Sequence, residues 1–355
     1  MNIVHIISNK VWGGGERYAL DLCTALATDG HSVAVICRHY PAVLRPFEQA
    51  GIAVGTLPLG GVLDLISPVR LSSVLGRMEA PVVVHVHNFK DAATAARARR
   101  LMREPGNVKI VCTRHLIKPG KDSRSARTLY DDLDAIIFVS ELARQEFIKG
   151  CPGVDRTKLH VVYNSILPPD PAPVGRGPGD PFRFVYTGRI SPEKGITTLI
   201  EAMSLLSDLN INLTICGTGR ARDVLPLQRL ADNLGLSERI KWAGHVADIY
   251  ARISRADCGV LPTTAREAFG LSVIEFMSQG VPVISTDNGA QPEIITPDHD
   301  GLLVPPGDAA ALAEAMRRTT ESNTARQLGN NALSTFRNRF SYPRFYTQIL
   351  SIYRQ

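Results

Sequence analysis

The sequence predicts an α/β chain of two Rossmann-like, doubly wound domains facing a cleft. Two observations carry that reading: in both halves short apolar runs of strand length alternate with stretches of helical period, and a segment dense in proline and glycine separates the halves. The 355 residues suit two domains of ordinary size.

In the first half, the apolar runs at 3–7, 32–37, 82–87, 108–113, 135–139 and 159–162 read as buried parallel strands. Between the first two, residues 16–28 set Tyr18, Leu22 and Leu26 at helical spacing. Six prolines (Pro168, Pro169, Pro171, Pro173, Pro178, Pro181) then alternate with Gly175, Gly177 and Gly179. Such a stretch lacks both backbone donors and stiffness, so 166–181 reads as a linker. The second half repeats the style, with strands at 183–187, 212–216, 240–243, 258–261 and 282–285 and helices at 197–206, 224–234, 271–279 and 309–320. A last helix near 323–339 leads into 341–355, where Phe345, Ile349, Ile352 and Tyr353 form a stripe suited to packing on a domain. The expected division is therefore 1–165, a linker at 166–181, a second domain at 182–335, and a tail helix at 336–355 that can cross back to the first domain.

Composition narrows the class. With 44% apolar and 21% charged residues the chain is ordinary globular protein, not disordered, collagenous or coiled coil. No apolar run is long enough to cross a bilayer, and the opening Met-Asn-Ile-Val-His-Ile-Ile-Ser is too short and polar-ended for a signal peptide, so the expected location is the cytoplasm. The six cysteines (Cys23, Cys37, Cys112, Cys151, Cys216, Cys258) form no C-x-x-C pair and have no histidine at metal-ligand spacing, so they read as reduced, buried small hydrophobes.

The net charge of +6 is unevenly placed. Residues 1–165 hold 21 Lys+Arg against 15 Asp+Glu, while residues 166–355 hold 19 of each. The stretch from Arg97 to Arg127 alone has ten basic residues and only two acids, Glu104 and Asp122. Aromatics hardly interleave it, which argues against nucleic acid; a solvated basic face is the bland alternative, and the expected partner is a phosphate-bearing lipid or an anionic membrane surface, the latter with a peripheral place on the inner face of the plasma membrane.

Four segments can carry chemistry. The turn Trp12-Gly13-Gly14-Gly15-Glu16 joins a strand to a helix, letting backbone approach a ligand at a helix N-terminus. A dinucleotide site would want an acid after the second strand; Cys37-Arg38 stands there, leaving an NADP site or a ligand-free tight turn open. His85 and His87 share one strand face at its carboxyl end, and His115 follows the next strand, suiting either a structural role or proton handling and substrate hydrogen bonding. The loop Gly188-Arg189-Ile190-Ser191-Pro192-Glu193-Lys194-Gly195 puts a guanidinium and an ammonium at a strand end, which suits a diphosphate. Finally Glu267 precedes a helix whose free N–H groups, from Ala268 through Phe269 and Gly270 to Leu271, can cap an anion, and Glu275 sits about a turn inside, where a carboxylate can accept two ribose hydroxyls. No D-x-D pair suited to a metal stands at a strand end.

With Gly217-Thr218-Gly219, Trp242-Ala243-Gly244-His245-Val246, Gly280-Val281-Pro282 and Asp300-Gly301-Leu302-Leu303, these segments resemble the retaining glycosyltransferases of family 4, with the GT-B fold, over nearly the whole chain. The resemblance implies that Arg189 and Lys194 bind a donor diphosphate, Glu267 the donor-sugar hydroxyls and Glu275 the ribose. Backbone at Ala268, Phe269, Gly270 and Leu271 and at Gly14 and Gly15 would meet phosphate. Gly188, Gly217 and Val246 would belong to the nucleotide pocket, and His87 would lie by the donor sugar. Glu16, His115 and Lys118 fall on the acceptor side. The resemblance further implies a nucleotide-sugar co-substrate without cofactor or metal, a UDP-sugar ahead of GDP-mannose, and an acceptor in lipid-linked or cell-surface glycan synthesis. A UDP-GlcNAc 2-epimerase-like isomerase on the same scaffold is the alternative, and an NADP-dependent oxidoreductase a distant one.

Overall fold

The computed structural model describes every residue except Val62 and Ser322. It comprises two compact units, Met1–Asn164 with Tyr342–Gln355, and Ser165–Ser341. Among the described residues no helix is long and apolar enough to cross a membrane.

The first unit is a run of βα repeats: β1 (Asn2–Ile7), α1 (Gly14–Thr28), β2 (Ser32–Cys37), α2 (Pro41–Gln49), β3 (Ala53–Thr56), α3 (Ile66–Leu75), β4 (Val82–Val86), α4 (Phe89–Arg100), β5 (Val108–Arg114), α5 (Arg124–Asp131), β6 (Ala135–Phe138), α6 (Glu141–Gly150) and β7 (Leu159–Val161). All strands are parallel, in the order β3-β2-β1-β4-β5-β6-β7. The chain winds outward from β1 to β3, then returns to β4 on the other side of β1. That reversal leaves an opening at the carboxyl ends of β1 and β4, where ligands of such sheets sit. Strand β3, Ala-Val-Gly-Thr, has no apolar run because it is a largely exposed edge, which is why sequence pattern misses it.

Alternation along the strands sorts their side chains. Val4, Ile6, Val82, Val84 and Val86 face one core with Leu71, Ala95 and Phe147. Ile3, Ile7 and Val83 face the other, with Tyr18 and Leu22 of α1 and with the final helix. His5 and His85 occupy positions of this second set.

The second unit holds β8 (Phe182–Thr187), α7 (Ile196–Ser204), β9 (Ile211–Cys216), α8 (Ala221–Asn233), β10 (Ile240–Gly244), α9 (Ile249–Ile253), β11 (Cys258–Leu261), α10 (Leu271–Ser278), β12 (Val283–Thr286), α11 (Gln291–Ile294), β13 (Gly301–Val304), α12 (Ala309–Thr320) and α13 (Thr324–Thr335). Its strands are again parallel, in the order β10-β9-β8-β11-β12-β13, so the winding reverses between β8 and β11.

Two boundaries differ from the sequence expectation. The segment 166–181 forms no helix or strand, yet it is not a free linker: Val174 N donates to Ser254 O (2.7 Å), Arg176 Nε lies 3.3 Å from Asp257, and Gln279 Nε2 donates to Pro169 O (3.1 Å). Nor does a tail separate at 336. A π-helical turn, Phe336–Phe340, continues α13 with both phenylalanines buried, and the chain changes unit only after Ser341. The final helix α14 (Tyr342–Arg354) then lays Phe345, Ile349, Ile352 and Tyr353 on the first unit. Each such side chain contributes roughly 1.5–3 kcal/mol of burial. All six cysteines are buried free thiols.

Ile349 is fully buried in that contact, so Ile349→Ala should cost about 2–5 kcal/mol in urea unfolding; a loss below about 0.5 kcal/mol would mean that α14 is not part of the first unit's core.

Candidate active site

In the second unit both chemical loops leave the strands that flank the reversal. β8 ends in Thr187-Gly188-Arg189, and β11 ends before Pro262 and Thr263. Several bonds lock the two loops together. Thr264 N donates to Glu193 O (2.9 Å) and Thr263 Oγ1 to the same carbonyl (3.1 Å). Across this seam Lys194 Nζ meets Glu267 Oε1 at 2.5 Å, with both side chains about a quarter exposed. Tyr186 Oη donates to Arg189 O (2.8 Å), fixing the backbone of the loop while the Arg189 side chain stays exposed.

Glycine is required at two of these turns. Gly217, at φ 157°, comes so close to the first loop that an added Cβ would lie 1.7 Å from Gly188 O. Gly195, at φ 70°, would meet Pro262 O at 1.8 Å. The backbones of the β8, β9 and β11 loops are thus in mutual contact, and no side chain fits between them.

Helix α10 starts at Leu271 behind Gly270 (φ 121°), and Glu267 O accepts from Ala290 N (2.9 Å). Its first N–H groups lack intrahelical acceptors and carry the positive end of the helix dipole. Ala268 and Leu271 are half-buried, and so is Glu275, one turn inside the helix. The Phe269 side chain is buried 5.9 Å from the Phe340 ring, so only its backbone can face a ligand. Val246 is half-buried just past β10. Arg189, Lys194, Glu267, Gly188 and Gly217 are therefore brought together at one strand-end cluster.

The first unit assembles its own cluster at the β1/β4 reversal. Helix α1 begins earlier than its apolar period suggests: Gly13 is its extended N-cap, and Gly14 and Gly15 are already helical. Glu16 is buried in the first turn and accepts from Asn9 Nδ2. Behind it stands a row of four histidines. His87 Nε2 lies 3.1 Å from His5 Nδ1 and its Nδ1 3.4 Å from His115 Nε2, while His85 is held by Tyr353 Oη (2.5 Å) and Thr113 Oγ1 (2.7 Å). Both ring nitrogens of His87 are thus occupied by other imidazoles. His5 and Tyr353 escape sequence reading. His5 hides inside an apolar run, and Tyr353 is 268 residues from its partner.

Ligating nitrogens of His5, His85 and His87 lie within 4.8 Å of one another. Both nitrogens of His85 are already engaged by hydroxyls, so the trio reads as a hydrogen-bonded cluster rather than as three free ligands.

The basic stretch is not one patch. Strand β5 runs through it, leaving Arg99, Arg100, Arg103 and Lys109 toward the amino edge of the sheet and Arg114, Lys118, Lys121, Arg124 and Arg127 toward or beyond its carboxyl edge, while Arg97 donates to Gly61 O in the loop after β3 (2.8 Å). Asp134 and Asp132 pair with Arg99 and Arg100, and Asp122 with Arg127. Lys118, Lys121 and Arg124 are exposed.

Burial pushes His5 down to about 3 and His115 to about 4, and holds His85 and His87 well below the ordinary value of 6.5. In the unfolded chain each would take its proton near 6.5, so the unfolded state binds more protons below that pH. Stability is full above about 6.5 and lost as pH falls toward 4. Urea unfolding from pH 7 to pH 5 should show this decline, and His5→Gln should make it shallower by up to about 1.4 kcal/mol per pH unit. A slope unchanged by His5→Gln would contradict a buried neutral histidine. Gly217→Ala should destabilise the second unit by more than about 1 kcal/mol, whereas the same change at a glycine whose backbone suits alanine stabilises by about 0.4–1 kcal/mol.

Comparison with known proteins fits this geometry. Residues 12–167 match the model of Glycosyltransferase Family 4, and residues 173–335 match that of Glycosyl transferases group 1. The lipopolysaccharide core biosynthesis glycosyltransferase LpsE of Rhizobium meliloti is 32% identical over 345 residues, covering 92% of this chain and 91% of that protein. The phosphatidyl-myo-inositol mannosyltransferase of Mycobacterium leprae is 27% identical, covering 98% and 94%. Among solved structures, Anabaena HepE in complex with UDP-glucose superposes with a TM-score of 0.80 at 22% identity, covering 99% of this chain and 98% of that one. The chain belongs to glycosyltransferase family 4, the group 1 glycosyl transferases, and has their GT-B fold of two Rossmann-like units.

Proposed function

We propose that this glycosyltransferase moves a sugar from a UDP-sugar to an acceptor in lipid-linked or cell-surface glycan synthesis, with retention and without a metal. The observation that carries the donor site is the Lys194–Glu267 pair, set beside Arg189 and the free N-terminus of α10 at the β8/β11 reversal. A diphosphate there would meet the Lys194 ammonium, the Arg189 fork and the first N–H groups of α10, a fixed cationic surface without a metal. Glu267 would turn from Lys194 to the donor-sugar hydroxyls, and Glu275 would accept from the ribose. UDP is favoured over GDP because HepE, of the same fold, was crystallised with UDP-glucose; the names of LpsE and the mannosyltransferase favour a glycan or lipid-linked acceptor.

In the reaction the acceptor oxygen bonds to C1 of the donor sugar as the C1–O bond to phosphate breaks. The leaving phosphate takes the acceptor proton on the same face, so no protein nucleophile is needed. The fixed charges at Arg189, Lys194 and α10 stabilise the negative charge growing on that phosphate.

UDP should raise the Tm of the purified chain more than GDP, ADP or CMP, and EDTA should leave both the shift and UDP-sugar turnover unchanged. NMR of the released or transferred sugar should give the donor's anomeric configuration. Lys194→Ala should lower kcat by about 10²–10³, and Glu275→Ala should mainly raise the donor KM. Epimerised UDP-sugar formed without acceptor, or an inverted product, would overturn the reading.

For a peripheral membrane contact, the charge at the carboxyl edge points to Lys118, Lys121 and Arg124, next to exposed Leu116. Each should add about 1 kcal/mol to binding of vesicles rich in anionic lipid at low salt. Sedimentation that ignores lipid charge, salt and the triple glutamine variant would rule this contact out.

A further inference from the structure

At the β1/β4 reversal a pocket opens whose walls belong wholly to the first unit. It has a volume of about 270 Å³, and its walls include Glu16, His87, Phe89, Arg114, His115 and Leu116. Arg114 is the unusual member. Its guanidinium carbon sits 4.9 Å from the centre of the Phe89 ring and 5.2 Å from that of Phe147. One N–H donates to Lys118 O (2.7 Å), while Nε is buried with no hydrogen-bond partner among the described residues.

No carboxylate pairs with Arg114 among the described residues, although Arg99, Arg100 and Arg127 of the same stretch each have one. Arg103 and Arg124 are exposed and solvated, so they need no partner. Burial lowers the Arg114 pKa, and the thiols and phenol around it, Cys112, Tyr130 and Cys151, offset this only as weak acids. A guanidinium stays charged in proteins, so this one is held among aromatic rings without a counter-charge. Glu16, also on the pocket wall, is the opposite case: a buried carboxylate that accepts from Asn9 through Oε1 and whose second oxygen is a further acceptor.

We propose that this pocket binds the acceptor, and that the acceptor is an anionic sugar whose phosphate or carboxylate is read by Arg114 while a hydroxyl is held at Glu16. This deepens the transferase reading and rests on it. The Phe89 and Phe147 ring centres are 5.7 Å apart, so both rings lie to one side of the guanidinium; a guanidinium binds a planar or tetrahedral oxyanion through its N–H groups. His115 and His87 are held neutral by burial, so the pocket wall adds no second charge beside Arg114. The pocket's size suits one sugar ring rather than a long glycan.

The test uses the full chain and ligand-observed NMR titrations with glucose 6-phosphate, glucuronic acid, methyl α-glucoside and inorganic phosphate. Wild type should bind at least one of the two anionic sugars tenfold or more tighter than the methyl glucoside, and the tighter of the two tells phosphate from carboxylate. Arg114→Gln should bring that sugar down to the level of the neutral one. Arg114→Lys, which keeps the charge but loses the fork, should fall between. Inorganic phosphate should compete with the preferred sugar in wild type. Equal binding of charged and neutral sugars by wild type, or an unchanged preference in both Arg114 variants, would overturn the proposal.

The Tm shift with UDP is read on the same samples. Its retention in Arg114→Gln shows a folded chain with an intact donor unit, so loss of anion preference is then specific. Its absence in wild type would count against the donor reading, not against the anion preference.

Discussion

The ion pair between Lys194 and Glu267 closes the seam between the loops that leave β8 and β11. It forms across 73 residues because those two strands are neighbours at the place where the winding of the sheet reverses. A parallel sheet sends every strand's carboxyl end to one edge, and the reversal keeps two adjacent loops from being covered by the same crossover helix. The close approach of Gly195 to Pro262 O, which leaves no space for a Cβ, follows from that crowding. Opposite charges about a quarter exposed are also easily re-partnered, since water already shares in their solvation. On the proposed reading, an incoming phosphate and a sugar hydroxyl replace the pair without leaving either charge bare.

The first unit solves the same geometry with different chemistry. Its reversal carries a buried, neutral row of imidazoles in place of exposed cations, tied to α14 through Tyr353. Burial raises the cost of protonating any one of them, so the row acts as a stiff set of hydrogen-bond groups rather than as a reservoir of charge. On the pocket wall beside the row, charge is carried instead by Glu16 and Arg114.

Much of this was legible in the sequence, for reasons that can be named. Strands such as Val82–Val86 are buried on both faces and so read as unbroken apolar runs, whereas the exposed edge β3 and the four-residue β13 leave no such trace. Lys194 and Glu267 stand out because charged residues in glycine-bearing loops at strand ends are hard to explain by packing. Their contact with one another depends on strand order, which periodicity does not encode. The basic stretch misled for a related reason: counting charge along the chain cannot see that β5 sends its two ends to opposite edges of a sheet. His5 was hidden because one polar residue in an apolar strand looks like noise until its neighbours in space are known.

On the proposed reading the donor diphosphate replaces the Lys194–Glu267 pair at the β8/β11 reversal. A crystal structure of the chain with UDP tests it most directly. The prediction is a diphosphate within hydrogen-bond distance of Lys194 Nζ and the Arg189 guanidinium, with Glu267 turned away from Lys194 and the ribose hydroxyls on Glu275. UDP seated at the Gly13–Gly15 turn alone, with the Lys194–Glu267 pair intact, would contradict it.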